Sequence, residues 1–239
     1  MKSSILICVC ARGGSKGIPG KNLKPLDGKP LIDYTIDFIN KLKNNLVFDL
    51  YISTDDQEIK NHLIKSGIDV PNTREKYLAM DQTPKIEVIR DVLKHSEAMR
   101  NQEYDYVIDL DVTSPLRNQK DVLTALEKLK KNQKALNIFS VSKSRKNPYF
   151  NMIEAQENGY FKKVITMDNI TGRQQAPIVY ELNASFYIMT RAFLLGTYTK
   201  MVTEKSLIYE MPHICFDIDE PEDFQLMEAV IQNNLFQFQ

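Results

Sequence analysis

ILICVCARGGSKGIPGKN, residues 5–22, joins a short apolar run to a loop that holds four glycines, one proline and three basic residues. The apolar half has the length of a buried strand. The glycines would let several backbone N–H groups approach one anion, and Arg12, Lys16 and Lys21 would neutralise its charge. These residues leave two alternatives, a phosphate-binding loop and a glycine-rich turn with solvated basic side chains.

Two common phosphate-binding motifs do not describe this loop. The P-loop pattern G-x-x-x-x-G-K-[ST] fails because Ser15 stands where the first glycine is required and Asn22 where Ser or Thr is required. The dinucleotide-binding pattern G-x-G-x-x-G fails because the glycines fall at positions 14, 17 and 20. An ordinary P-loop kinase and a nicotinamide-dependent enzyme are therefore disfavoured.

Strand-like and helix-like segments alternate along the chain up to residue 143. Strands that alternate with helices favour right-handed crossovers and a mainly parallel sheet with helices on both faces. We therefore predict a Rossmann-like α/β fold that forms a single domain over residues 1–239. Ligands of such sheets bind beyond the carboxyl ends of the strands. The glycine loop and DVTSPLR, residues 111–117, are expected at that same edge.

The pattern changes in residues 143–178, where no long helical period occurs. Short strand-like pieces, an Asn158-Gly159 turn and polar loops take its place. We predict that this segment is an insertion that leaves the main sheet. ELNASFYIM, residues 181–189, then returns to the sheet as a strand.

Composition argues against several classes of partner. Lys+Arg and Asp+Glu both number 31 among the 239 residues, so the net charge is zero and lacks the basic excess of nucleic-acid-binding proteins. No apolar run approaches the ~18 residues of a membrane span, and a signal-peptide pattern is lacking. Cys8, Cys10 and Cys215 are expected to be structural thiols in a reducing compartment. We expect a cytoplasmic protein without nucleic-acid or membrane partners.

Two acidic pairs carry a metal hypothesis. Asp109 and Asp111 in DLD, and Asp217 and Asp219 in DID, lie two residues apart, which on a strand puts both side chains of a pair on one face. Mg²⁺ takes oxygen ligands and binds substrate phosphates, so one carboxylate from each segment would hold it against a triphosphate. The alternatives are strand-end caps and solvated turns. A general base acting on an attacking hydroxyl is a further alternative for the DID pair.

Five segments in this order resemble one family: ARGGSKGIPGKNLKPLDGKPLI, ISTDD, LDVTSPLR, GRQQAP with ELNASFYIM, and FDIDEPEDF. They are similar to the sugar nucleotidyltransferases, and within these to the cytidylyltransferases that activate sialic acid and related nonulosonic acids. The resemblance implies the nucleotidyltransferase fold. It also implies the reaction CTP + nonulosonic acid → CMP-sugar + pyrophosphate, in which the anomeric hydroxyl attacks the α-phosphate with Mg²⁺, or Mn²⁺, as cofactor.

By this resemblance, the glycine loop holds the triphosphate of CTP. The implied nucleotide-binding residues are Arg12, Ser15, Lys16, Lys21, Asn22 and, beside the cytosine base, Arg74. The implied catalytic residues are Lys21, Arg12 and Asp219, and the implied metal ligands are Asp111, Asp217 and Asp219.

The resemblance also implies a sugar pocket and a dimer. The sugar-binding residues would be Asp111, Arg173, Gln174, Asn183 and Tyr187. Members of the family are dimers in which a protruding arm reaches the active site of the neighbour, and residues 143–178 match that arm. We therefore expect a homodimer with arm exchange that binds CTP and an acidic nine-carbon sugar.

Asp111 bears on which sugar is used, since sialic acid members often carry Gln there and enzymes of octulosonic acids use Asp as a metal ligand. IDLDVTSPLR, RKNPYFNMIE and GRQQAPIVYELNASFYI look most like the members that activate legionaminic acid. An octulosonic acid, of the KDO or amino-KDO type, is the first alternative. A D-x-D glycosyltransferase predicts no RGGSKG loop, and a non-catalytic nucleotide-binding module would lose the acids, so both are disfavoured.

Overall fold

The computed structural model of the protein describes residues 3–238. The strands in these residues are β1 (Ile5–Cys10), β2 (Pro25–Leu26), β3 (Lys29–Pro30), β4 (Asp49–Ser53), β5 (Tyr106–Leu110), β6 (Asn137–Lys143), β7 (Ile153–Ala155), β8 (Phe161–Lys163), β9 (Tyr180–Thr190) and β10 (Ser206–Glu210). The α-helices are α1 (Leu31–Leu42), α2 (Gln57–Lys65), α3 (Lys85–Arg100), α4 (Gln119–Lys131), α5 (Arg191–Leu195) and α6 (Pro221–Gln232).

Six strands form the central sheet in the order β10-β6-β9-β5-β1-β4. β1 pairs in parallel with β4 and β5, and β10 pairs in parallel with β6. β9 runs antiparallel between β5 and β6. The predicted mainly parallel α/β sheet is therefore confirmed, with β9 as its antiparallel member.

Helices cover both faces of this sheet, as predicted. Ile5, Ile7 and Val9 of β1 pack in one apolar cluster with side chains of α1, α2, α4 and α6. Leu6 and Cys8 point to the opposite face and pack with α3 and α5. Alternate side chains of a strand face opposite ways, so a strand that is covered on both faces is apolar throughout. The run ILICVC is apolar for this reason.

The turn after β4 fixes both a helix and the glycine loop. Asp56 caps α2 by accepting hydrogen bonds from the backbone N–H groups of Glu58 and Ile59, at 2.8 and 2.9 Å. Its neighbour Asp55 accepts from the backbone N–H of Gly13 at 3.1 Å. The ISTDD segment therefore holds the start of the loop at the carboxyl edge of the sheet.

β9 has a bulge where it runs beside β6. The pairing register shifts between Phe139 and Val141, and Ala184 has a φ of 55°, in the left-handed region. The Ser140 hydroxyl donates to Asn183 Oδ1 at 2.6 Å and accepts from the backbone N–H of Phe186 at 3.1 Å, so a side chain replaces the missing ladder bonds. The bulge places Ala184 against the cleft described below.

The segment between β6 and β9 forms its own two-stranded sheet from β7 and β8. It carries exposed apolar side chains at Met152, Ile153, Tyr160, Phe161, Met167 and Ile178. The boundaries of the arm, residues 143–178, and of the single domain, residues 1–239, stay predictions. Among residues 3–238, no helix combines the length and the apolar character that crossing a bilayer requires.

Candidate active site

A cleft of about 570 Å³ opens at the carboxyl ends of β1 and β5. Its walls come from the glycine loop, residues 74–88, the turn after β5, the β9 bulge and the segment after β10. Among the predicted site residues, those that line it are Arg12, Ser15, Lys16, Lys21, Asn22, Arg74, Asp111, Asp217 and Asp219. The glycine loop and the turn after β5 thus meet at one edge, as the order of elements predicted.

Lys21 joins the glycine loop to the DID segment. It is 8% exposed, and its Nζ lies 2.5 Å from the Ile218 carbonyl oxygen and 3.4 Å from Asp219 Oδ1. Gly17 packs so closely on the Asp219 carbonyl that a Cβ at this position would clash with it. Asn22 donates from Nδ2 to the Arg12 carbonyl at 2.8 Å. The loop is therefore fixed at both ends, with Lys21 held in the cleft.

Asp81 pairs with the two exposed cations of the loop, a contact that sequence reasoning missed. Its carboxylate lies 2.8 Å from Arg12 Nη1 and 2.6 Å from Lys16 Nζ. The hydrogen bond from Lys16, with the charge of both cations, lowers the pKa of Asp81. A negative group thus already occupies the position between Arg12 and Lys16 where the prediction puts phosphate.

Lys85, the first residue of α3, pairs with both acids of the DLD segment and was not predicted. Its Nζ lies 2.7 Å from Asp109 Oδ2 and 2.5 Å from Asp111 Oδ2. Burial lowers the pKa of Lys85, but Asp109 and Asp111 outweigh it and raise that pKa well above the usual value. Burial likewise raises the pKa of Asp111, yet Lys85 and Thr113 outweigh it and lower that pKa to about 2.

Arg74 is placed beside the cleft by the end of β4. Its Nε and Nη2 donate to the hydroxyl and carbonyl oxygens of Ser53 at 2.9 and 2.7 Å. The guanidinium is buried and oriented by these bonds, which keeps the following residues, including Leu78 and Met80, along the cleft wall.

Asp217 is a half-buried acid of the cleft that no ion pair within residues 3–238 neutralises. It lies in a loop after β10 rather than in a strand. Burial, with the charges of Asp219 and Asp111, raises the pKa of Asp217. A divalent cation carried in by phosphates suits such a carboxylate, because Mg²⁺ binds through one or two carboxylates plus substrate phosphates. Asp217 therefore fits a metal, whereas Asp219, whose Oδ1 lies 3.4 Å from Lys21 Nζ, stays a predicted ligand.

Asp111 fits a metal less well than predicted. Its Oδ1 accepts from the Thr113 backbone N–H and hydroxyl at 3.1 and 3.0 Å, and its Oδ2 faces Lys85. Among residues 3–238, the three predicted ligands Asp111, Asp217 and Asp219 do not form a group whose ligand atoms converge within 4.8 Å. The ammonium of Lys85 stands where a cation on Asp111 Oδ2 was expected.

A different trio does converge, since Cys8, Cys10 and Asp109 bring one ligand atom each within 4.8 Å of one another. The Cys10 hydrogen bond and burial raise the pKa of Cys8, so that thiol is protonated at neutral pH. Lys85 already neutralises Asp109. The trio therefore holds a protonated Cys8 thiol and a carboxylate that is already paired, which argues against a metal site.

Of the predicted sugar residues, Asp111 lines the cleft, Asn183 and Tyr187 lie in β9, and Arg173 and Gln174 lie in the segment between β6 and β9. Tyr187 lies beside the Lys85 ammonium, which is 4.9 Å from its ring centre. Asn183 is 2% exposed and uses its amide within the β9 bulge, donating to Ser142 and accepting from Ser140. Its amide therefore helps to shape the bulge, and its role in sugar binding stays a prediction. Arg173 and Gln174 are exposed on the arm and do not line the cleft of their own chain.

The fold, the glycine loop and the acids of this cleft define a nucleotidyltransferase. The chain belongs to the cytidylyltransferase family, whose model matches residues 6–239. The family match confirms the resemblance to cytidylyltransferases that the sequence showed.

Two curated relatives cover nearly the whole chain. One is the post-translational flagellin modification protein B of Campylobacter coli, 37% identical over 235 residues, 98% of each chain. Another is the CMP-N,N'-diacetyllegionaminic acid synthase of Campylobacter jejuni, 37% identical over 229 residues, 96% of this chain and 95% of that protein. Among solved structures, a CMP:2-keto-3-deoxy-manno-octonic acid synthetase complexed with CTP has a TM-score of 0.67. It covers 97% of this chain and all of its own at 16% identity, which shows a shared fold.

Proposed function

We propose that the protein transfers CMP from CTP to a nonulosonic acid of the legionaminic type, releasing pyrophosphate. The observation that carries this is that Lys21 and the loop cations line the same cleft as the unneutralised Asp217. This arrangement suits a triphosphate with its metal. The relatives support the sugar class, because a protein 37% identical over nearly the full length is named for diacetyllegionaminic acid.

The residues of the cleft divide the work of this reaction. Arg12, Lys16 and Lys21 bind the triphosphate, which displaces Asp81, and they stabilise the charge that develops on the departing pyrophosphate. Ser15 and Asn22 shape the loop around the phosphates, and Arg74 holds the segment beside the base. Asp217 and Asp219 hold Mg²⁺, or Mn²⁺, which when bound adds positive charge at the reacting phosphates. Catalytic roles for Lys21, Arg12 and Asp219 follow from this placement.

A homodimer with arm exchange completes this proposal. Arg173 and Gln174 reach the sugar in the cleft of the partner, where a guanidinium would bind a carboxylate in a bidentate manner. The exposed apolar side chains of the segment around β7 and β8 support an interface, since single chains rarely leave so many together in water. We place the reaction in the cytoplasm, which fits three free cysteines.

An octulosonic acid is the second candidate, because Asp111 stands where enzymes of that group use a metal-binding aspartate. The Lys85 contact to Asp111 counts against it. The family match counts against the D-x-D glycosyltransferase and the non-catalytic module.

The proposal is tested by pyrophosphate release from purified protein with CTP and Mg²⁺. The acceptors are N-acetylneuraminic, diacetyllegionaminic, pseudaminic and 3-deoxy-octulosonic acids, and a calorimetric titration with CTP and Mg²⁺ is run beside them. Turnover is expected with diacetyllegionaminic acid and preferred over the other three. Turnover with the octulosonic acid alone would overturn the sugar assignment, and a flat titration with CTP would overturn the nucleotide.

A further inference from the structure

The cations of the cleft differ in what their charge is used for. Arg12 is partly exposed and Lys16 is exposed, and within residues 3–238 their ion pairs are with Asp81 alone. Lys85 faces two carboxylates at once, Asp109 at 2.7 Å and Asp111 at 2.5 Å. These two carboxylates neutralise the charge of Lys85, so Lys85 is poorly suited to bind phosphate or the carboxylate of a sugar acid.

Asp109 prevents Lys85 from moving away. This carboxylate is fully buried, and its side-chain partners in the described part of the chain are Lys85 and the Cys8 thiol, 3.6 Å from its Oδ1. A buried carboxylate that loses its cation is strongly unfavourable. The Lys85 ammonium is therefore held in place by Asp109 of β5. Its contact with Asp111 then holds Asp111 in place.

Asp111 is held as a hydrogen-bond acceptor at the cleft surface. Thr113 donates twice to Oδ1 and Lys85 donates to Oδ2, while a carboxylate offers about four acceptor positions. One position therefore remains for a donor in the cleft. A divalent cation at Oδ2 would meet the fixed ammonium on the same oxygen, and like charges at that separation repel.

The neighbour of this acceptor is an aromatic ring. Tyr187 lies with its ring centre 4.9 Å from Lys85 Nζ and packs beside Phe139. The ring thus helps to confine Lys85, and the remaining acceptor position of Asp111 suits the hydroxyl or amide N–H groups of a sugar.

We propose that Lys85 is a positioning residue that fixes Asp111 as an acceptor for the sugar substrate, in place of a metal at that carboxylate. The inference rests on the proposed function for the identity of the sugar. The metal would then be held by Asp217 and Asp219 with the phosphates. Lys85 acts through Asp111 and itself contacts no reacting atom.

The first test is kinetic and uses Lys85→Met in the full-length protein with CTP, Mg²⁺ and the acid that the wild type turns over. We expect KM for the acid to rise at least about tenfold, with KM for CTP changed less than about twofold, the pattern of a lost substrate contact. Lys85→Arg should recover part of the loss. Lys94→Met, on the exposed side of α3, is the matched control and should match the wild type. An equal rise in both KM values would overturn the proposal, because a merely structural pair would disturb both.

The second test needs no turnover. Mn²⁺ binding to the CTP-loaded protein is measured by electron paramagnetic resonance in wild type, Asp111→Asn and Asp217→Asn. Asp111→Asn should bind Mn²⁺ within about threefold of the wild type, and Asp217→Asn should lose it. Loss of Mn²⁺ in Asp111→Asn would overturn the proposal. So would tightening of more than about tenfold in Lys85→Met, which would mean that the ammonium merely keeps a metal out.

Asp111→Asn keeps the proposal testable if Lys85→Met does not fold. It keeps the Lys85–Asp109 pair, and it should raise KM for the acid as Lys85→Met does. If no acid is turned over although CTP binds, the proposed sugar fails, whereas the Mn²⁺ measurement still decides whether Asp111 holds a metal.

Discussion

The two ends of the cleft use their charges in opposite ways. At the loop end, Asp81 is 40% exposed where it pairs with Arg12 and Lys16, and exposed ion pairs are worth little to the fold. At the opposite wall, Lys85 pairs with Asp109, 0% exposed, and Asp111, 21% exposed, where loss of one partner leaves a buried charge uncompensated. Arg12 and Lys16 can therefore exchange Asp81 for a ligand, whereas Lys85 is needed to hold Asp109 and Asp111 in place.

Replacing Lys21 should break the loop end most severely. Its ammonium is held in the cleft by the Ile218 carbonyl, so Lys21→Ala removes a fixed cation from the place where charge on pyrophosphate develops. We expect kcat/KM for CTP to fall about a thousandfold, or about 4 kcal/mol, as when one preorganised donor is removed. The measurement is pyrophosphate release.

Lys24→Ala is the matched control for Lys21→Ala. Lys24 is exposed three residues further along and does not line the cleft. Its kcat/KM should stay within about twofold of the wild type. A correctly folded Lys21→Ala protein that keeps more than about a tenth of the wild-type rate would contradict the catalytic role.

The parts of this comparison that could be predicted are local in sequence. The glycines and basic residues of the loop are contiguous, and the alternation of strands and helices is a pattern of neighbours. Both features can therefore be recognised in the sequence alone. The edge at which the loop meets the turn after β5 then follows from the geometry of parallel strands.

The wall could not be predicted, because its contacts join distant parts of the chain. Lys85 follows a proline at the start of a helix, where a lysine has no special signal, and its partner Asp111 lies 26 residues away. Asp81 meets Arg12 and Lys16 only through the fold. The bulge at Ala184, beside which Asn183 is buried, likewise has no signal in the sequence of β9.

Gly17→Ala should sharpen the role of the loop without changing its charge. A Cβ at Gly17 would meet the Asp219 carbonyl, so the loop and the DID segment would have to separate. We expect kcat/KM to fall about thirtyfold, since displacement of about an ångström can cost a hundredfold in rate. In Gly14→Ala, the added Cβ meets nothing within 4 Å, and that variant should retain activity. Equal losses in the two would show that the contact with Asp219 is unimportant.

Asp111→Asn should lower the stability of the protein, because the charge of Asp111 pairs with Lys85 in the folded state. The pKa of Asp111 is lowered from 3.8 to about 2, so its ionised form favours the folded state. The free energy of unfolding at pH 7 should fall by about 2 kcal/mol in the variant. A lowered carboxyl pKa stabilises above the unfolded value, near pH 4, and the benefit is lost as the pH falls towards about 2.

Urea unfolding of wild type and Asp111→Asn at pH 7 and at about pH 3 measures this effect, and the difference should be roughly halved at the lower pH. Asp81→Asn, at the loop end, should leave stability unchanged at both pH values. If Asp81→Asn and Asp111→Asn destabilised the protein equally, the contrast between the two ends would be wrong.

Asp81→Asn should produce the smallest effect, and in the unusual direction of tighter binding. Asp81 competes with the triphosphate for Arg12 and Lys16, so its neutralisation should lower KM for CTP by about threefold, the scale of an exposed ion pair. The gain should fade at about 0.5 M salt, because salt screens exposed charges. Glu75→Gln, an exposed acid of the same segment outside the cleft, should leave KM unchanged. A higher KM in Asp81→Asn would instead mean that Asp81 helps to hold the nucleotide. The ion pairs of the loop would then have a positioning role, as those of Lys85 do.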